Sequence, residues 1–235
     1  LMEECLPSII LASKESEYDV TVTVVDNKST DNDIEFIRET FPTVIVFEAS
    51  ENKVLCSYNE VAENIDDDLI LMLNNDIKVE KDFIDPLVRT FLLHSDAFLV
   101  GPKCLSYDGT IYEGTRAKPF FRMGVFTAIS RYPGHREDMD IPGLTMQSPF
   151  GVFDRKKFLQ FKGFDEIYLP GIMEEADLCY RAYKTGLRCY YEPKSLIYHM
   201  GQVTFNKHFS GSETLILAYK NSFIFMWKNI TDIKI

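Results

Sequence analysis

Four places in this sequence put acids or an imidazole where they could do chemistry. They are Asp26-Asn27-Lys28-Ser29-Thr30-Asp31, Asn74-Asn75-Asp76, the pair Glu174-Glu175, and His199. Carboxylates such as Asp76 are ligands for hard divalent ions, Mg²⁺ or Mn²⁺, and leave coordination positions open to phosphate oxygens. Two adjacent acids can supply a general base. Each place also has a plain structural reading. Asn and Asp form turns through their own backbone hydrogen bonds, acids in the first turn of a helix complement its dipole, and a lone His at a strand end is commonly a packed core residue. Asp177 and Arg181 stand at i, i+4, the spacing of a simple surface ion pair on a helix.

The elements that must position these groups can be read from periodicity. Residues 20–26 alternate Val and Thr and predict a strand that runs into the first polar cluster. Helices are predicted over 33–40 and 57–64, and a second strand over 43–49. Leu69-Ile70-Leu71-Met72-Leu73 is continuously apolar, as in strands buried on both faces of a parallel sheet, and stops at Asn74-Asn75-Asp76. A helix over 81–95, a strand over 97–101, a helix from 175 ending at Gly186, and short strands over 188–191 and 195–199 follow. This alternation predicts an α/β domain with a largely parallel sheet. In such sheets ligands lie beyond the carboxyl ends of the strands, where the four places would gather. Residues 115–142 are rich in Gly, Pro, Arg and aromatics without a period, and predict a long loop or flap. The last helix, over 212–229, packs on the core or lies on a membrane or another domain; its Phe223-Ile224-Phe225-Met226-Trp227 run is too short to span a bilayer.

Composition narrows the function. The 235 residues are 46% hydrophobic, enough for one sizeable core, and carry a net charge of −11. Such a chain has no overall excess of base for nucleic acid, and an anionic ligand would need a cation beside it. Cys5, Cys56, Cys104, Cys179 and Cys189 are odd in number and widely spaced, which favours reduced, buried thiols. With no leader peptide and no membrane span in view, a cytoplasmic place is expected, with contact at the inner face of the membrane as an option. The sequons at Asn27 and Asn229 are then without consequence.

Val25-Asp26-Asn27-Lys28-Ser29-Thr30-Asp31, Leu73-Asn74-Asn75-Asp76, Gly163-Phe164-Asp165-Glu166, Glu174-Glu175-Ala176-Asp177-Leu178-Cys179-Tyr180-Arg181 and His199, with Pro193 before it, occur in the order and spacing of family 2 of the glycosyltransferases. The resemblance spans almost the whole chain and looks closest to the rhamnosyltransferase-like branch. It implies a GT-A fold, a Rossmann-like three-layer sandwich with a mostly parallel mixed sheet, acting on a nucleotide-sugar donor with Mg²⁺ or Mn²⁺. Carried over by position, Asp26 and Asn27 would lie by the nucleobase, Asp31 would help shape that turn, and Asn75 would face the donor, with Asn74 beside it in the donor-binding set. Asp76 and His199 would hold the metal, and Glu175, or else Glu174, would be the base. The family usually has Glu-Asp where this chain has Glu174-Glu175, so the base reaches one methylene further. His94, His135 and His208 match nothing in the motif order.

The implied reaction is an inverting transfer of a sugar onto a hydroxyl of a saccharide or lipid-linked acceptor, as in bacterial polysaccharide or glycolipid synthesis. Arg116, Lys118, Arg122, Arg131 and Arg136 among Phe120, Phe121, Phe126 and Tyr132 would then form an acceptor flap, or simply a solvated loop. Family members usually begin with a strand that meets the nucleotide. Residues 2–11 read instead as the helix after it, so residues 1–235 are expected to form one catalytic domain lacking its first strand. Competing readings are a sugar-nucleotide-binding module without a base and a pure scaffold. A nucleotidyltransferase expects a basic Gly-rich loop near the start, and a dinucleotide oxidoreductase a GxGxxG turn; neither motif is present.

Overall fold

The computed structural model describes residues 1–30, 33–122, 124–201 and 210–231. Its chain order is α1 (Met2–Glu15), β1 (Thr23–Asp26), α2 (Asp33–Thr40), β2 (Ile45–Glu48), a 3₁₀ turn (Val54–Cys56), α3 (Ser57–Asn64), β3 (Leu69–Met72), β4 (Ile77–Val79), α4 (Ile84–Leu93) and β5 (Ala97–Ser106). Then come β6 (Tyr112–Gly114), β7 (Lys118–Arg122), β8 (Val125–Ile129), α5 (His135–Asp138), β9 (Gly143–Thr145), β10 (Gly151–Asp154), α6 (Arg155–Gln160), a 3₁₀ turn (Glu166–Tyr168), α7 (Glu174–Lys184), β11 (Arg188–His199) and α8 (Gly211–Asn229).

A sheet ordered β3-β10-β5-β11-β4, with β6 added to β5 and β9 to β11, forms the middle layer. Side chains alternate between its faces as the pleat requires. Leu69, Leu71 and Leu73 pack on one side with α1 and α4 through Ala12, Leu87 and Phe91. Ile70, Met72 and Phe153 pack on the other with α3, α6 and α7 through Ala62, Phe158, Leu178 and Ala182. The three-layer α/β sandwich is therefore as the sequence implies.

The parallel share of the sheet is smaller than the helix–strand alternation implies. β5 and β11 are parallel, but β10 runs antiparallel between β3 and β5, and β4 antiparallel to β11. A parallel return from β5 to β10 needs a crossover of a dozen or more residues, usually a helix. Among the described residues the chain between them offers only strands and the four-residue α5. It therefore enters β10 from the edge where β3 and β5 end.

β1 and β2 pair parallel as a separate two-stranded sheet. α1 joins the two sheets: Leu6 and Ile10 pack with Ile37, Val44 and Val24, while Ala12 and Ile9 pack with Ile77 and Leu71. Among the described residues β1 is paired on one edge only, with β2, and β3 on one edge only, with β10.

Residues 115–142 are more ordered than their composition suggests. β7 and β8 form a five-pair antiparallel hairpin. Phe126 stacks on Phe225 of α8, ring centroids 4.5 Å apart, and meets Tyr180 of α7. α8 begins with a capping box in which the Ser210 hydroxyl accepts from the Glu213 N–H and the Glu213 carboxylate accepts from the Ser210 N–H. One face of it buries Leu217, Asn221 and Phe225, while Ile216, Tyr219, Phe223 and Trp227 are exposed on the other. No helix among the described residues is long and apolar enough to cross a membrane.

Candidate active site

The antiparallel return of β4 brings Asp76 to His199. Asn75-Asp76 turn the chain after β3, and β4 then pairs with the end of β11 so that Ile77 faces His199. The Met200 N–H donates to the Asp76 carbonyl at 3.0 Å, locking that corner. The side chains meet as a result: His199 Nε2 lies 3.3 Å from Asp76 Oδ2, and Nδ1 lies 2.7 Å from Glu113 Oε2. Burial disfavours the charged ring, but the hydrogen bonds to Asp76 and Glu113 outweigh it and hold the imidazole above its ordinary pKa. Asp76 is buried, and its Oδ1 has no protein partner.

That orphaned oxygen is what a cation would satisfy, since a buried carboxylate oxygen without a partner is costly. The Asp76 carboxylate is a hard oxygen donor of the kind Mn²⁺ or Mg²⁺ takes, and the His199 imidazole stands beside it. Cys104 has its sulfur within 4.8 Å of the Glu113 and His199 ligand atoms. Burial pushes this thiol far above its ordinary range, so it forms a neutral wall.

The acidic pair is placed differently. The chain enters α7 through Ile172 and Met173, both in the left-handed region at φ 73° and 86°, a conformation expensive for a β-branched residue. Asn221 of α8 holds this turn: its Nδ2, with two hydrogens to share, lies 2.7–2.9 Å from the carbonyl oxygens of Tyr168, Gly171 and Ile172. Glu174 is buried with Oε2 unpartnered, while Glu175 is half-buried. Burial, and then the charge of Glu175, raise the Glu174 carboxyl above its usual range. Burial raises Glu175 likewise.

Asp26 and Asn27 sit at the end of β1. The buried Asp26 carboxylate accepts from the Ser29 N–H at 3.0 Å, closing the turn. Burial opposes its ionisation, but hydrogen bonds from Ser29 prevail and keep the carboxyl below its usual pKa. Asn27 donates to the Val54 carbonyl at 3.3 Å and keeps a buried Oδ1 without a partner. Two residues on, burial and then the Glu174 charge push the Cys56 thiol up to about 12. The Val54–Cys56 turn thus lies between the Asn27 side and the start of α7. Asn74 is half-buried and Asn75 exposed. Asp31 and His208 lie outside the described residues.

Other motif residues are braces. Asp177 is fully buried rather than half of a surface pair. It takes hydrogen bonds from Tyr168, Arg181, Lys228 and Asn229. Arg181 donates onward to the carbonyls of Phe161 and Gly163. Gly163 is required where it stands, since at φ 60° a Cβ there would lie 2.1 Å from Asn59 Oδ1. Three of the flap cations are engaged within the protein: Arg116 with the carbonyls of Asp138 and Ile141, Lys118 with Asp138, and Arg131 with the Tyr112 carbonyl. His94 stacks on Tyr190, and His135 meets the Tyr132 carbonyl, so both are structural.

The sequence profile described as Glycosyl transferase family 2 matches residues 1–158. The chain belongs to glycosyltransferase family 2. Solved structures similar to this family member share the fold. GalNAc-T7 with UDP, GalNAc and Mn²⁺ aligns at TM-score 0.64 and 15% identity, over 84% of this chain and 40% of that one. The mannosyltransferase PcManGT of Pyrobaculum calidifontis, in complex with GDP-Man and Mn²⁺, aligns at 0.62 and 15%, over 98% and 60%. S. aureus TarS 1–349 in complex with UDP aligns at 0.57 and 14%, over 84% and 56%. This chain therefore spans between two fifths and three fifths of those proteins. No curated protein matches it in sequence.

Asp76 and His199, which the sequence reading assigns to one metal, lie side by side in the structure; Glu113 and Asn221 are not named by that reading. Glu113 sits in a three-residue strand without a motif. Asn221 is a polar residue in an apolar helix, the one signal that could have singled it out.

Proposed function

We propose that the chain is the catalytic domain of an inverting glycosyltransferase that moves a hexosyl or deoxyhexosyl group from a nucleotide-diphosphate sugar to a hydroxyl acceptor. The observation that carries this reading is the buried Asp76 carboxylate, whose Oδ2 lies 3.3 Å from His199 Nε2 and whose Oδ1 has no partner. Asp76 and His199 would hold Mn²⁺ or Mg²⁺, which when bound supplies positive charge for the departing diphosphate. Asp26 and Asn27 would meet the nucleotide, the orphan Asn27 Oδ1 accepting from the base or ribose. Asn74 and Asn75 would line the sugar.

Glu175 is the better base of the two acids because it is half-buried, while Glu174 is nearly closed off. It takes the proton of the acceptor hydroxyl. The oxygen then forms its bond to the anomeric carbon from the face opposite the nucleotide, the bond to the diphosphate breaks, and the diphosphate leaves with the electron pair. A carboxylate in a site that resists charge is a stronger base near neutral pH than one in water.

The acceptor is read as a saccharide or lipid-linked hydroxyl of the kind used in polysaccharide or glycolipid assembly. With Arg116, Lys118 and Arg131 engaged internally, the flap favours aromatic stacking through Phe120 and Phe121, both exposed, over capture of a phosphate. Residues 1–235 are read as a single catalytic domain, and peripheral membrane contact through the exposed face of α8 would fit a cytoplasmic enzyme.

The test is to incubate the protein with UDP-, GDP- and dTDP-sugars, simple glycosides and Mn²⁺, following nucleotide release and the product's anomeric proton by NMR. EDTA-sensitive transfer with inversion is expected. Retained configuration would rule out the single-displacement mechanism, and nucleotide binding without transfer would leave a binding module.

A further inference from the structure

We propose that Glu113 is a positioning residue: it fixes the tautomer and orientation of His199, so that Nε2 faces the cation site beside Asp76. This rests on the metal-site reading above. β6 pairs with β5 as Cys104 to Gly114 and Leu105 to Tyr112, with a register shift between them. Two residues of β5 thus face three of β6, and Glu113 is the extra one. Such bulges redirect a side chain out of the ladder. The chain beyond is held in an uncommon shape, Gly114 at φ 125° and Thr115 at φ 85°. The Thr115 hydroxyl is tied to the Pro102 carbonyl. Thr115 is β-branched and pays for this conformation, so the local structure over-determines where Glu113 points.

The carboxylate reaches across β5 to β11. It stands 2.7 Å from His199 Nδ1, against 3.3 Å between Nε2 and Asp76. The two carboxylates compete for the single proton of a neutral ring, and the shorter contact assigns it to Nδ1. That leaves the Nε2 lone pair toward the Asp76 carboxylate, 3.3 Å from Oδ2, whose other oxygen Oδ1 is unpartnered. Histidine ligands commonly donate their second N–H to a carboxylate in this way, and loss of that partner typically weakens metal binding by about 10–100-fold. Without Glu113, the ring proton moves to Nε2 and bonds to Asp76, closing both ligands to the ion.

The experiment measures binding of Mn²⁺ alone by loss of the free-ion EPR signal, for wild type, Glu113→Ala, Glu113→Asp, Glu113→Gln and Asp76→Asn, each checked for wild-type circular dichroism. In parallel, ¹⁵N NMR reads the His199 tautomer at a pH where the ring is neutral. Gln keeps an acceptor at the same reach without charge, whereas Asp keeps the charge but withdraws it by one methylene. Glu113→Gln is therefore expected within a few-fold of wild type, with Nδ1–H retained. Glu113→Ala and Glu113→Asp are expected to weaken Mn²⁺ about 10–100-fold and to shift the proton to Nε2. The opposite order, Asp like wild type and Gln like Ala, means that Glu113 acts only through its charge and overturns the proposal. So does wild-type affinity in Glu113→Ala while Asp76→Asn abolishes binding. If Asp76→Asn also binds Mn²⁺ normally, the metal site itself is refuted.

Discussion

The two acidic regions of the candidate site are built on opposite plans. At the strand ends, Asp76 and Glu113 share one imidazole, so their charges face a group that can be positive. At the start of α7, Glu174 and Glu175 face burial and each other, and both carboxyls are pushed up. The first arrangement suits a bound cation; the second suits a proton that comes and goes. The same residue types thus stand in two different surroundings, and the roles proposed for them follow from those surroundings.

That contrast can be broken from either side. The largest effect is expected at the cation side: Asp76→Ala should abolish the Mn²⁺-dependent part of donor binding in calorimetry while the fold melts as before. Wild-type affinity would remove Asp76 from the site. On the proton side, Glu175→Gln should lower turnover by about 10²–10⁴-fold while donor affinity survives. If Glu174→Gln suffers that loss instead, the roles of the two acids exchange.

Asn221→Ala should sharpen the comparison, because it frees the turn before α7 and leaves the cation side alone. Buried carbonyls left without a donor cost about 1–3 kcal/mol, so a lower melting temperature and a lower kcat are expected with Mn²⁺ affinity unchanged. A matching loss of Mn²⁺ affinity would mean that the two regions are not separable. The smallest effect concerns pH. A carboxyl whose folded pKa is raised is protonated in the folded protein at pH values where the unfolded chain already ionises it, so its penalty is absent below the ordinary value near 4.5, grows from there up to the folded value and is constant above it. Glu174→Gln should therefore raise the melting temperature at pH 8 and leave it nearly unchanged at pH 4. Equal shifts at both pH values would show that its charge is not the cause.

The halves of the site also differ in how far they could be read from sequence. Asp76 announces itself by ending an apolar strand, and Glu174-Glu175 by opening an amphipathic helix, since local periodicity marks both boundaries. The layers of the fold follow from the same signal. The direction of β10 does not, because a strand's own pattern is the same whichever way its neighbours run; only the missing crossover helix decides it. Glu113 depends on a register shift between β5 and β6, and register is a property of two segments together. Asp177 shows the limit from the other side. Its i, i+4 partner Arg181 was visible, but four hydrogen bonds to a fully buried carboxylate come from segments up to about fifty residues away and turn a surface pair into a brace.

The central claim is that this family member binds a nucleotide through a divalent ion at Asp76 and His199, and the most direct test is thermal unfolding with UDP, GDP and dTDP, each with and without Mn²⁺. A ligand at about 100 times its dissociation constant adds roughly 2.7 kcal/mol, a rise of a few degrees for a domain of this size. Such a rise is expected with at least one nucleotide, only when Mn²⁺ is present, and is expected to be lost in Asp76→Ala. No Mn²⁺-dependent rise with any of the three, or the same rise in Asp76→Ala, would contradict that claim.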